Sequence, residues 1–244
     1  MRILINTPHL SGDGGVINHY NGLKSFWSLD ILYNEVGKRY NIPGSFFLLY
    51  DYIKFINLCA FGKYDVILLN PSLGKTAIKR DALFLRISKW FKIKTIVFFH
   101  GWSNDIVNDL NIESKAFTKS FNDADSLIVL AKAFKNDLLR WGITQPIHLL
   151  TTKVNDELLN GFDFSTKQWG PNILFLTRIE TYKGIFITLE AFLSIKSKIP
   201  SASLTIAGNG TKLNLAKKFV LILLVFNTKI ESSTISKFPQ AALY

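Results

Sequence analysis

Over its first 150 residues the chain alternates short apolar runs with longer stretches of helical period. The runs at 3–5, 46–50, 66–69, 95–99, 126–130 and 147–150 predict strands. The stretches at 15–25, 51–61, 75–91, 114–122 and 132–141 predict the helices between them. Such alternation argues for βαβ units and a parallel sheet. The runs at 66–69 and 95–99 are almost wholly apolar, as strands covered on both faces should be. From 151 to 170 the period fades, and Gly161, Gly170 and Pro171 mark a linker. A second alternation follows. It has a strand at 173–176, a helix at 184–197 closed by Pro200, and a strand at 204–207 leading into Gly208-Asn209-Gly210. The expected organisation is therefore a domain over 1–150, a linker over 151–171 and a second domain over 172–244. That second domain falls short of the ~100–150 residues usual for a doubly wound unit. Residues 219–226 read as one strand. The tail from about 220 loses its pattern, and 227–244 is rich in Ser, Thr and Lys.

Composition narrows the class. Of the 244 residues, 48% are hydrophobic and 14% aromatic, enough for a sizeable core and unlike a disordered chain. The net charge of +11 calls for an anionic partner, whether nucleic acid, anionic lipid or a sugar nucleotide. The single cysteine, Cys59, excludes an internal disulfide framework and reads as a buried core thiol. The start, Met1 to Asn6, is too short an apolar run for a secretory signal and soon meets Pro8. No run approaches the ~20 apolar residues of a membrane span. The expected location is the cytoplasm, with peripheral contact at the inner face of the plasma membrane.

Four stretches carry candidate chemistry. Gly12-Asp13-Gly14-Gly15 follows the first strand and precedes a helix, where glycine lets backbone approach a ligand. It is not a dinucleotide fingerprint, which weakens an oxidoreductase reading. His100 stands directly after the strand at 95–99, at the carboxyl end where α/β ligands bind. Arg178 and Lys183 follow the strand at 173–176 and flank a helix start, a place to hold a diphosphate. On the helix at 75–91, Lys75, Lys79, Arg86 and Lys89 fall on one narrow arc, while Phe84, Ile87 and Phe91 lie on a different side, flanked by Leu83 and Trp90. Such an arc suits an anionic membrane or plain solvent. Asn70-Pro71-Ser72-Leu73-Gly74-Lys75-Thr76 ends like a P-loop but has Leu69 where the Walker pattern needs glycine, and it is rejected as one. His9, His19 and His148 show no metal spacing, and no nucleic-acid-binding module is visible.

These motifs together resemble the glycosyltransferases of GT-B fold, in the retaining, family-4-like group. Gly14-Gly15-Val16 resembles that group's N-terminal glycine loop, and Phe99-His100-Gly101-Trp102 its His-Gly segment. Leu176-Thr177-Arg178 followed by Lys183-Gly184 resembles the Arg…Lys-Gly motif opening the donor domain. Leu204 to Gly210 resembles its later strand and glycine turn. The resemblance implies an α/β protein of GT-B type, with a complete N-terminal Rossmann-like acceptor domain and an incomplete donor domain. It implies transfer of a sugar from a nucleotide sugar to a glycan or lipid-linked acceptor in surface-polysaccharide synthesis, with no metal cofactor. Arg178 and Lys183 would neutralise the leaving diphosphate. His100 would lie beside the transferred sugar. Gly14 and Gly15 would give close backbone contact, and Gly208 and Gly210 would belong to the donor site.

The chain departs from the family where the donor domain carries two glutamates eight positions apart. After Gly210 the only acid is Glu231, and Pro239 stands eight beyond it. The segment 220–244 resembles nothing in the family and reads as a frameshifted or prematurely ended tail. Two further readings stay open: an inactive remnant of such an enzyme, and a module that binds membrane or acceptor without turnover.

Overall fold

The computed structural model describes residues 1–12, 14–37, 44–153, 161, 163, 165, 169–222 and 228–231. The chain forms two compact units, 1–155 and 156–244. The first is built on β1 (Arg2–Thr7), β2 (Asp30–Glu35), β3 (Val66–Leu69), β5 (Lys94–Phe99), β7 (Ser126–Val129) and β8 (Ile147–Leu149). These strands make one sheet in the order β2-β1-β3-β5-β7-β8, every pair parallel. Its helices are α1 (Gly15–Leu23), α2 (Gly44–Phe61), α3 (Lys75–Trp90), α4 (Asn104–Ile112), α5 (Lys115–Phe121) and α6 (Lys132–Arg140). Beyond the main sheet, β4 (Ser72–Leu73) and β6 (Gly101–Trp102) form a short parallel ladder of their own.

The order of strands decides the layering. From β1 the chain steps one way to β2, then returns past β1 to β3 and continues the other way. Right-handed crossovers then put α1 on one face and α2, α3, α5 and α6 on the other. Packing agrees. Leu4, Ile67, Leu69, Val97, Phe99 and Val129 join Phe55 of α2, Phe84 of α3 and Phe121 of α5 in one buried cluster. The alternate residues, Ile3, Ile5, Leu68, Ile96 and Phe98, look onto the face of α1 and line a cavity of about 460 Å³.

One expectation for this unit fails. The run at 46–50 is no strand but the first part of α2. A continuous apolar stretch cannot be told from a buried helix by period alone; here the length decides for the helix. Its buried positions, Asp51, Phe55 and Cys59, recur every four residues. Burial pushes the Cys59 thiol up to about 12, so it remains an inert core group. The sequence reading also passed over β2 and α4. β2 lies at the sheet edge with Leu32 exposed and Asn34 buried, which reverses the usual apolar-in pattern.

The second unit has a three-stranded parallel sheet of β9 (Asn172–Leu176), β10 (Ser203–Ala207) and β11 (Thr228–Glu231), in the order β11-β10-β9. Two helices, α7 (Ile185–Lys198) and α8 (Leu213–Ile222), accompany it. Its core gathers Ile185, Leu189 and Phe192 of α7 with Leu204 and Ile206 of β10 and Ala216 of α8. The supposed strand over 219–226 is, as far as residue 222, the end of α8. Nor is the tail irregular throughout: Thr228 to Glu231 pair with Leu204 to Ala207 in parallel register. Residues 223–227 and 232–244 lie outside the described residues, as does most of the expected linker.

Phe84 is fully buried, with its ring centroid 4.8 Å from those of both Tyr52 and Phe55. We expect Phe84→Ala to cost ~3–5 kcal/mol in urea unfolding. Leu83→Ala, next to it but on the exposed side, should stay within ~0.5 kcal/mol.

Candidate functional site

The strand order reverses between β1 and β3, and ligands of open α/β sheets bind at the carboxyl ends beside such a reversal. Here those ends carry Asn6 and Thr7 of β1, Asn34 of β2, Asn70 after β3 and His100 after β5. Asn70 organises them. Its Nδ2 donates to the Asn6 carbonyl at 2.8 Å and the Leu68 carbonyl at 3.4 Å. Two carbonyls fix the amide's orientation, so Oδ1 points the other way. There it accepts from the Tyr20 hydroxyl at 2.6 Å and meets His100 Nε2 at 2.9 Å. An amide oxygen only accepts, so the His100 proton sits on Nε2. His100 Nδ1 is then a bare lone pair, buried without a partner among the described residues.

Both histidines of the site are neutral. Burial, with His19 nearby, lowers His100 to about 3. Burial also lowers His19, whose ring centroid is 5.4 Å from that of His100. His19 Nδ1 accepts the Lys153 backbone N–H at 2.8 Å, which puts its own proton on Nε2. Tyr20, buried on α1, is raised by the same loss of solvent and stays a donor. Three more buried polar atoms at these strand ends lack partners among the described residues: Asn6 Nδ2, Asn34 Oδ1 and Thr7 Oγ1. They are neighbours by register, Asn6 opposite Asn34.

The rest of the His-Gly-Trp segment is explained by packing. A Cβ on Gly101 would come within 3.0 Å of the Ser72 Cβ, because β6 runs hard against β4. Trp102 stacks on Phe134 at 4.5 Å and donates from Nε1 to Asp137 at 3.1 Å. The His100 backbone N–H donates to the Pro71 carbonyl at 3.0 Å, so both strand exits hold this residue. Gly14 and Gly15 differ from Gly101: a Cβ on either would meet nothing within 4 Å. Gly14 caps α1 at φ 151, and the helix start beside it is open. Asp13 lies outside the described residues.

In the second unit, Arg178 and Lys183 are exposed and flank one ring. The Arg178 guanidinium carbon is 5.9 Å and Lys183 Nζ 5.5 Å from the Tyr182 centroid. Gly184 caps α7 in the left-handed region at φ 80, a conformation that favours glycine. It has open space around it. Two cations thus stand on the turn leading into a helix, whose first N–H groups have no partner within the helix itself. Gly208 and Gly210 have a packing reason instead. A Cβ on Gly208 would sit 2.0 Å from the Thr177 carbonyl oxygen, and one on Gly210 2.3 Å from that of Ile179. The turn they form is tied down by Ile179 N–H to the Asn209 carbonyl at 2.9 Å. Glu180 is held below its usual range by the Thr211 backbone N–H and hydroxyl.

The cationic arc of α3 divides. Lys75 pairs with Asp109 and Lys89 with Asp125, each at 3.1 Å. Lys79 and Arg86 make no ion pair among the described residues. Among those residues no helix is long and apolar enough to cross a membrane. No cluster of His, Cys, Asp or Glu there could hold a metal ion.

Sequence reasoning singles out His100 and passes over the side chains bonded around it, Asn70 and Tyr20, and the neighbouring Asn6 and Asn34. In the sequence Asn70 is only the first residue of a rejected P-loop. A polar residue closing an apolar strand was the available signal.

No protein-family profile and no curated protein matches the chain. Solved structures do. Anabaena Alr3699/HepE, in complex with UDP and glucose, aligns with TM-score 0.62 at 13% identity, over 95% of this chain and 69% of that one. A glycosyltransferase from Rickettsia africae ESF-5 aligns with TM-score 0.59 at 15% identity, over 95% of this chain and 68% of that one. UDP-GlcNAc 2-epimerase from Neisseria meningitidis, bound to UDP-GlcNAc, aligns with TM-score 0.59 at 15% identity, over 96% and 72%. At such identities the shared property is the fold: the Rossmann-like α/β architecture of GT-B glycosyltransferases and these epimerases.

Because His100 is lowered to about 3 from 6.5, its neutral form favours folding fully above pH 6.5. That contribution is lost progressively as pH falls towards 3. We expect unfolding midpoints to drop over this interval, and the drop to be smaller in His100→Asn, as denaturant titrations at stepped pH would measure.

Proposed function

We propose that the chain binds a nucleotide-diphosphate sugar and transfers its sugar to a glycan or lipid-linked acceptor. The observation that carries this reading is the pair Arg178 and Lys183 at the open N-terminus of α7. Two positive charges and backbone N–H groups without a partner within the helix suit a diphosphate, and they gain most when its charge grows as the sugar–phosphate bond breaks. In the mechanism that the family resemblance implies, the acceptor oxygen attacks the face the diphosphate leaves. The departing phosphate oxygen then takes the acceptor's proton. His100 suits neither acid nor base duty, since its proton is committed to Asn70 and its basicity is low. Its free Nδ1 suits a sugar hydroxyl, which would donate to it. The open start of α1 at Gly14 and Gly15 suits phosphate or acceptor contact. UDP and UDP-sugars, the ligands of Anabaena Alr3699/HepE in its complexes, are the first donors to try.

A second reading is binding without turnover: His100 offers a lone pair in a fixed direction and neither an acid nor a base.

Calorimetry with UDP and a UDP-release assay with UDP-glucose separate the readings. Arg178→Ala and Lys183→Ala should each weaken UDP binding about tenfold or more, given the ~1.5–3 kcal/mol of a hydrogen bond to a charged group. Binding with release supports transfer, and binding without release supports the second reading. No binding of UDP or UDP-glucose sinks both.

A further inference from the structure

α2 carries apolar residues on every side, with Asp51, Lys54 and Asn57 its only charged or amide side chains. Its inner positions, Phe55 and Cys59, fill the core. Its exposed positions are Leu49, Tyr50, Ile53, Asn57, Ala60 and Phe61, with no charge among them. A helix apolar all round is normally buried on all sides, and this one is not. Phe61 is 82% exposed, Leu49 61%, and Tyr50 and Ile53 53% each.

α3 lies alongside. Tyr52 and Phe55 touch Phe84, and the Tyr52 hydroxyl reaches the Arg80 carbonyl at 3.4 Å. Both helices run back from the carboxyl to the amino ends of the strands, so their levels correspond: Ile53 with Leu83, Phe61 with Trp90. The exposed stripe of α3 is Lys75, Thr76, Lys79, Leu83, Arg86 and Trp90, and Trp90 is 77% exposed. The acids of the two helices, Asp51 and Asp81, are both buried, Asp81 against Arg80. The outward face of this pair is thus apolar with aromatic residues at one end, and each charge on its fully exposed positions is positive. At that same end, Lys63, Lys92 and Lys94 line a cavity of about 560 Å³.

We propose that the α2–α3 face lies on an anionic phospholipid surface. Phe61 and Trp90 enter the interface, where aromatic rings are favoured, and Lys79 and Arg86 meet headgroup phosphates. This surface differs from the lysine arc expected from the sequence: Lys75 and Lys89 are engaged by Asp109 and Asp125. The apolar contribution comes mostly from α2. A lipid surface fits better than a second copy. Two such faces meeting about a two-fold axis would set Lys79 and Arg86 close to their own equivalents, with no exposed carboxylate on these helices to pair them.

The inference is independent of sugar transfer and is tested without nucleotide. The whole chain is floated with vesicles of equal parts phosphatidylcholine and phosphatidylglycerol, and with phosphatidylcholine alone. Phe61→Ser with Trp90→Ser, and Lys79→Glu with Arg86→Glu, change only exposed positions. Circular dichroism and thermal unfolding should match the parent. We expect binding to the anionic vesicles, and loss of about tenfold or more with either double variant or without phosphatidylglycerol. No flotation with anionic vesicles would overturn the proposal, as would equal flotation of folded double variants. So would a dimer in sedimentation that Phe61→Ser with Trp90→Ser dissolves while vesicles go unbound.

Discussion

The first unit's polar site depends on the orientation of one amide. Asn70 bridges β1, α1 and the exit of β5 through a single side chain. Because both hydrogens of its Nδ2 face carbonyls, its oxygen must take the Tyr20 and His100 protons. The tautomer of His100 follows, and so does the bare Nδ1. A buried, incompletely partnered network is costly unless something completes it. Four buried atoms without partners among the described residues lie at or beside adjacent strand ends, by the reversal of strand order. The proposed sugar hydroxyls would suit such atoms, since each hydroxyl both donates and accepts.

Most of the fold was legible in the sequence because parallel strands buried on both faces announce themselves. The strands β3, β5 and β7 lie inside the sheet, and their runs are nearly unbroken. Legibility failed where the environment departs from that rule. β2 is an edge strand whose best-buried residue is Asn34, a polar side chain bonded to Asn6. α2 lacks a polar face, so period gave no handle on its first turns. The end of α8 failed likewise: Phe219 and Val220 are core neighbours there, and an apolar run does not say which backbone carries it.

The candidate site was legible in its charges and not in its network. Arg178 and Lys183 stand out as cations beside a strand end, and the structure places both around Tyr182. The glycines were read more uniformly than the structure warrants. Gly14, Gly15 and Gly184 have open space, whereas Gly101, Gly208 and Gly210 are glycines because neighbouring backbone or Cβ atoms leave no room. Spacing alone does not separate these causes. In both sets the chain turns just past a strand end, and only the distance to neighbouring atoms tells them apart.

That division bears on how each unit, taken by itself, presents its candidate residues. In the second unit the packed turn at Gly208 and Gly210 fixes the exits of β9 and β10 against each other, through bonds at Thr177, Ile179 and Lys212. Arg178 lies between two of these anchored residues, so its backbone is held although its side chain is exposed. Lys183 is fixed less directly, by the turn in which its N–H meets the Glu180 carbonyl at 3.0 Å while the Glu180 carboxylate is held by Thr211. Backbone anchored in this way sets where the two exposed cations leave the chain. The first unit works the opposite way: His100 offers no charge, and what it contributes is a lone pair in a fixed direction.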